Sequence, residues 1–243
     1  MKALRWMFII AIRFLGWILL KVEITDLDRL PASGPVILAI NHVNFLDAYL
    51  YTVIPREMTA LAKEETWQNP LLRLLATAWD AIPIRRGALD LNAIRLALQA
   101  LSDGRVLTIA VEGTRSHDGR LQRGRPGIAL LASRVPEVFI VPVAIYGGER
   151  FHGNLRRLRR TKINILFGQG FFLDPGNGRV TRAVRQEIAD EIMAQIASIL
   201  PPENRGVYSD LPAATEHYLR FPPGATSNLD RVPGHTMSET RSS

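Results

Sequence analysis

Pro35-Val36-Ile37-Leu38-Ala39-Ile40 is an apolar run with no alternation, and the polar pair Asn41-His42 follows it at once. A strand covered on both faces reads this way, whereas a half-exposed strand alternates apolar with polar residues. The pattern returns in Val106-Leu107-Thr108-Ile109-Ala110-Val111 and in Val138-Phe139-Ile140-Val141-Pro142-Val143-Ala144-Ile145. Met58 to Ala62 and Ile163 to Phe167 read as further strands, and Ala81 to Ile84 as a short one that Pro83 confines to an edge. Helical patterns fill the intervals. Ala48 to Ile54 reads as the start of a helix, Pro70 to Ala78 as a second, and Ile128 to Arg134 as a short one. Leu91, Ile94, Leu98 and Leu101 fall three and four apart, with Gly104 as the stop. Val184, Ile188, Ile192 and Ile196 stripe a last helix that Thr181 caps. Buried strands alternating with helices predict an α/β fold with a largely parallel central sheet flanked by helices.

Working outward, 243 residues at 27.1 kDa suit one such domain with short appendages. Hydrophobic residues at 47% and charged residues at 22% exclude wholesale disorder. The absence of cysteine excludes disulfides, thiolate metal sites and cysteine nucleophiles. Thirty Lys and Arg against 23 Asp and Glu give a net charge of +7, which favours an anionic partner: a lipid surface, nucleic acid or a phosphorylated small molecule. After Leu200 the character changes, and residues 207–243, rich in proline, glycine and serine, read as an extended or disordered tail.

Trp6 to Leu20 is apolar apart from Arg13, with Lys2, Arg5 and Lys21 at its flanks. About fifteen residues at 1.5 Å each reach roughly 22 Å, short of the roughly 30 Å hydrocarbon core of a bilayer. Arg13 and the lack of a small-residue cleavage site argue against a signal peptide. Residues 1–21 are therefore expected to form a membrane-associating helix lying at the interface, with Trp6, Phe8, Phe14 and Trp17 in the acyl boundary. A core helix packed on the domain, or a tilted span, remains open. The main domain covers residues 22–206.

In open α/β sheets, ligands gather beyond the carboxyl ends of the strands, and three strand ends here are rich in functional groups. Asn41-His42-Val43-Asn44-Phe45-Leu46-Asp47 pairs a histidine with an aspartate five positions later, a base and its orienting carboxylate. On one regular helix the two would diverge by about 140° and 7.5 Å. They meet only if His42 lies on the loop and the helix starts between them. Alone, a histidine after a buried strand serves structure as readily as catalysis. Arg85-Arg86-Gly87 suits a phosphate through guanidinium forks and close backbone approach, or is a solvated basic turn. Glu112-Gly113-Thr114-Arg115-Ser116 gathers a carboxylate, a glycine, a hydroxyl and an arginine that fit a polyol phosphate, or is a polar turn closed on itself.

These segments and Val141-Pro142-Val143-Ala144, in this order over residues 41–144, resemble the glycerolipid acyltransferase family (1-acyl-sn-glycerol-3-phosphate acyltransferase-like proteins). Its marks are a histidine-four-residues-aspartate motif, an arginine-glycine block, a Glu-Gly-Thr-Arg-Ser block and a late proline-containing strand. The likeness extends over residues 22–206. Ala110-Val111 stands where the family commonly has phenylalanine-proline, and Arg123-Gly124-Arg125-Pro126-Gly127 replaces its usual phenylalanine-lysine-lysine-glycine.

The resemblance implies a membrane-associated O-acyltransferase of phospholipid biosynthesis. It would move an acyl chain from acyl-CoA or acyl-ACP (acyl carrier protein) to the hydroxyl of lysophosphatidic acid, giving phosphatidic acid. His42 would be the general base and Asp47 its orienting partner. Arg85, Arg86, Gly87, Glu112, Gly113, Thr114 and Arg115 would bind the acceptor. No metal and no cofactor is implied beyond the thioester donor. Glycerol 3-phosphate or another lysophospholipid as acceptor, and acyl-thioester hydrolysis, are the alternatives. The expected location is the cytoplasmic face of the cell membrane, as a monotopic protein. The run Arg156-Arg157-Leu158-Arg159-Arg160-Thr161-Lys162 could meet anionic headgroups, meet the acidic carrier protein, or be a solvated loop. The aromatics are not interleaved with it, so nucleic acid is not an expected partner.

Overall fold

A computed structural model describes residues 2–85, 90–116, 118–176 and 180–231. Helix α1 (Lys2–Leu19) runs into strand β1 (Leu20–Thr25) with no residue between them. Then come β2 (Val36–Ile40), a 3-10 helix over Phe45–Tyr49, α2 (Leu50–Val53), β3 (Met58–Lys63), α3 (Pro70–Ala78), β4 (Ile82–Ile84) and α4 (Leu91–Ser102). The second half holds β5 (Val106–Ala110), α5 (Gly127–Ala132), β6 (Phe139–Tyr146), α6 (Phe151–Arg156), β7 (Thr161–Phe167), β8 (Phe172–Leu173), α7 (Arg182–Ser198) and β9 (Leu219–Arg220).

The main sheet has the order β1-β7-β6-β2-β5-β3-β4. Strands β6, β2, β5, β3 and β4 are mutually parallel, β7 is antiparallel to β6, and β1 lies parallel to β7. The expected largely parallel sheet is present, with β4 at the edge as Pro83 requires. The reversal at β7 has a local cause. Helix α6, six residues long, reaches only about 9 Å, too little to return the chain along the eight-residue β6, roughly 26 Å. The chain therefore turns back at the end where β6 stops.

Strand alternation sends Ile37 and Ala39 into a core with Leu101, Ile128 and Ile192, under α4, α5 and α7. Val36, Leu38 and Ile40 enter a second core with Leu50, Met58 and Val141, against α1, α2 and α3. Both faces are thus covered, and the carboxyl ends of the parallel strands share one rim. Near that rim Arg160 donates from its guanidinium to the Leu20 carbonyl, fixing the start of β7 to the end of α1.

Helix α1 packs one face on the domain, as the core-helix reading expects, and leaves its other face uncovered. Phe8, Ile9 and Ile12 pack on the second core. Arg5 donates to the Met58 carbonyl at 2.9 Å and Arg13 to the Thr52 carbonyl at 2.6 Å. Gly16 lies against Tyr49 so closely that a Cβ there would stand 2.5 Å from the ring. The opposite face, with Trp6, Met7, Ile10, Phe14, Leu15, Trp17 and Ile18, is exposed. No helix among the described residues is long and apolar enough to cross a membrane. Leu20 and Lys21, assigned from sequence to the anchor, already belong to β1.

Residues 207–231, expected to be an extended or disordered tail, are irregular but packed. Leu211 and Leu229 are buried, and β9 pairs with β8. The buried Glu191 of α7 accepts from the Thr215 hydroxyl and from the His217 and Tyr218 N–H groups. Gln195 accepts from the Asn228 amide at 2.7 Å. Polar side chains on α7 hold this segment in place of an apolar stripe, so hydrophobic periodicity carries no sign of it. The rest of the expected tail lies outside the described residues.

Candidate active site

Strand β2 is wholly buried and delivers Asn41 and His42 to the rim. Asn41 locks that exit to β6: its amide donates to the Ile145 carbonyl at 2.8 Å, and its oxygen accepts from the Ile145 N–H at 2.7 Å. His42 stays on the loop. The 3-10 helix begins after Asn44, whose side-chain oxygen accepts from the Leu46 N–H at 2.9 Å. Asp47 is thereby carried back toward His42, and the His42 Nδ1 to Asp47 Oδ2 distance is 2.6 Å. The helix start falls between the two residues, the condition for their meeting.

Asp47 is 5% exposed, and the same Oδ2 accepts from the Val43 and Asn44 N–H groups at 2.9 and 3.2 Å. Burial pushes its carboxyl above the ordinary aspartate value, against the downward pull of His42 and the two backbone donors. With Nδ1–H directed at Asp47, the His42 Nε2 carries its lone pair outward. Arg115 Nε stands 3.4 Å from it, at the long end of hydrogen bonding.

The loop after β5 is tied to the His42 loop. The Ser116 N–H donates to the His42 carbonyl at 2.7 Å, and the His42 N–H donates to Glu112 Oε1 at 3.1 Å. The second Glu112 oxygen accepts from the Gln122 N–H at 2.9 Å, and the Gln122 amide donates to the Arg115 carbonyl at 3.1 Å. Glu112, a residue singled out for acceptor binding, is 1% exposed, and both its oxygens face backbone donors. It clamps two loops to the histidine. Burial raises its carboxyl to about 7. Thr114 is half-buried and Arg115 exposed beside His42. Gly113 lies in the left-handed region at φ 69°, which turns the chain from Glu112 to Thr114.

Arg85 follows β4, three strands from β2 and so roughly 14 Å along the same rim. Its side chain is 75% exposed and stands 3.8 Å from Glu64, so it is not gathered with the His42 group. Arg86 and Gly87 lie outside the described residues. Asn44 and Gln122 are site residues that the sequence reading misses. A signal for Asn44 exists, since an asparagine three before an aspartate is a capping-box spacing. Gln122 acts through its backbone, which side-chain reading does not reveal.

A family model described as Acyltransferase matches residues 21–146. The chain is 26% identical over 149 residues to a chloroplastic 1-acyl-sn-glycerol-3-phosphate acyltransferase of Arabidopsis thaliana, covering 56% of this chain and 42% of that protein. A 1-acyl-sn-glycerol-3-phosphate acyltransferase of Bacillus subtilis is 28% identical over 151 residues, with 61% of this chain and 72% of that one covered. The matches span about two fifths of the length of the plant relatives from Arabidopsis thaliana and Brassica napus. Among solved structures, the 1-acyl-sn-glycerophosphate acyltransferase PlsC of Thermotoga maritima aligns with a TM-score of 0.57 at 21% identity, covering 77% of each chain, a likeness of fold.

Proposed function

This chain belongs to the acyltransferase family, and from that premise we propose that it is a membrane-associated enzyme that moves an acyl chain from a CoA or acyl-carrier-protein thioester to the free hydroxyl of lysophosphatidic acid, giving phosphatidic acid. The observation that carries the reading is the His42–Asp47 pair at 2.6 Å, with Nε2 turned out beside Arg115. Nε2 takes the proton of the acceptor hydroxyl, and the oxygen attacks the thioester carbonyl. The carbon–sulfur bond then breaks, and the departing thiolate takes the proton back from the imidazolium. Asp47 fixes the Nδ1–H tautomer and stabilises the cation while it exists.

Arg115 and Thr114 take the acceptor phosphate. Glu112 is assigned to bracing His42 and the Arg115 loop, because its oxygens are already occupied by backbone donors. Arg85, with Arg86 and Gly87, would meet the distal part of the bound substrates. Orientation accounts for about 7–11 kcal/mol of barrier lowering in well-aligned reactions, against roughly 3–5 from a positioned base. Loss of the phosphate clamp is therefore expected to hurt nearly as much as loss of the base. The exposed face of α1, with tryptophans toward both ends, supports docking at an interface where acceptor and product reside; our reading takes that interface to be the cytoplasmic side of the cell membrane.

The test is thiol release from an acyl-CoA with and without lysophosphatidic acid, for wild type, His42→Ala and Arg115→Ala. Acceptor-dependent release that falls at least about a hundredfold in both variants is expected. Release indifferent to the acceptor would instead mean a thioesterase. Near wild-type turnover and affinity in Arg115→Ala would remove the phosphate role.

A further inference from the structure

We infer that the turn joining α6 to β7 is a docking site for the anionic surface of a lipid bilayer. At its tip Leu158 is 95% exposed, and Leu155 below it is 41% exposed. Leu158 sits at φ 52°, a left-handed conformation that costs a leucine roughly 1 kcal/mol. Burial does not explain a leucine held there. Arg156, Arg157 and Arg159 surround it, all exposed and without an ion pair or side-chain hydrogen bond among the described residues. The turn is nevertheless built. The Arg157 and Arg159 N–H groups both donate to the Asn154 carbonyl, and the Asn154 amide donates to the Thr161 hydroxyl at 3.2 Å. An apolar tip ringed by unpaired guanidiniums matches the headgroup boundary, where leucine enters the acyl edge and the arginines meet phosphates.

Continuity selects a bilayer over an acidic protein. Arg160, the next residue, holds the turn to the Leu20 carbonyl at the end of α1. There the exposed Phe14, Trp17 and Ile18 carry the apolar surface onward. A planar lipid surface covers the tip and the helix face together. Docking the turn also sets the depth of the catalytic loop. Phe151 of α6 packs edge-on against Phe45 at 5.4 Å, and Asn44 donates to the Gly148 carbonyl at 2.7 Å. The inference deepens the proposed membrane association and rests on it for the role of α1.

The experiment uses the full chain and co-sedimentation with phosphatidylcholine vesicles, neutral or carrying about a third phosphatidylglycerol. The variants are the triple replacement Arg156→Ala, Arg157→Ala, Arg159→Ala, and Leu158→Asn, since asparagine tolerates the left-handed backbone. Transfer from acyl-CoA in detergent micelles, unchanged in both, establishes that they fold. The triple variant is expected to lose at least about tenfold in partitioning to anionic vesicles and little to neutral ones, and salt is expected to mimic that loss. Leu158→Asn is expected to lose a few-fold on both. Unchanged partitioning of both variants overturns the inference. So does unchanged vesicle binding with selective loss of turnover on acyl carrier protein thioesters, which would make the turn a protein-docking site. Wild type that binds no vesicle at all would fail the membrane reading itself, whereas binding indifferent to the turn fails this inference alone.

Discussion

Asp47 places three donors on one oxygen, and that concentration of charge fixes what its replacement does. An asparagine oxygen can still accept from Nδ1, so the ring keeps its place while the negative charge is lost. On the proposed mechanism, that charge is needed most when His42 holds the acceptor's proton. Asp47→Asn is therefore expected to lower kcat by about 10²–10⁴-fold with KM little changed, read from steady-state kinetics in acceptor. Glu112 gives a pH signature. Its carboxyl titrates near 4.5 when solvated and near 7 in the fold. Between those values the folded chain keeps a proton that the unfolded chain has released, so its contribution to stability declines as pH rises from about 5 to 7. At about 1.4 kcal/mol per unit the decline is at most about 3.5 kcal/mol. Glu112→Gln does not titrate there. Urea unfolding is expected to show wild type losing ground to the variant between about pH 5 and pH 8, and a constant gap would refute the buried carboxyl. The dyad was legible in sequence because a buried strand followed by polar residues dictates a loop before the helix. The inward turn of Glu112 was not, since residue type at a strand end does not say which way the chain rotates.

Among elements, β2 to β7 and most helices could be read, chiefly because burial leaves an apolar run, whereas β1, interrupted by Lys21 and Glu23, could not. Nor could strand direction. Ile163, Ile165 and Phe167 alternate into the core whichever way β7 points, and only the length of α6 decides its direction. The packed segment after α7 was illegible for another reason, being held by Glu191, Gln195 and Asn228 rather than by periodic apolar residues. Gly206 lies just before that segment, beyond the 3-10 turn Pro202–Asn204 that follows α7. It has φ 52°, and a Cβ there would stand 2.1 Å from the Leu121 carbonyl oxygen. Gly206→Ala must displace backbone, with an expected destabilisation of about 2–4 kcal/mol in urea unfolding. The Leu121 carbonyl accepts from the Val207 N–H and its own N–H donates to Asn204, one residue before the Gln122 that holds Glu112. Turnover is expected to fall as well, and a variant as stable as wild type would disprove the close approach.

For the whole molecule, the net charge of +7 and the free face of α1 act at different ranges. Charge attracts over roughly 8 Å at physiological salt, while apolar insertion needs contact. Replacing Trp6 and Trp17 together by serine is expected to weaken binding to neutral and anionic vesicles alike, with little dependence on salt, as measured by co-sedimentation. A loss confined to anionic vesicles would assign binding to charge alone.

The junction at Leu19 and Leu20 has a consequence for how such a molecule travels. A helix that becomes a strand in the next residue leaves no hinge. A domain on a flexible tether would tumble above the bilayer and present its rim only part of the time. With α1 docked as proposed, the rim would inherit its tilt from the helix, and the search for an acceptor would reduce to lateral diffusion in two dimensions.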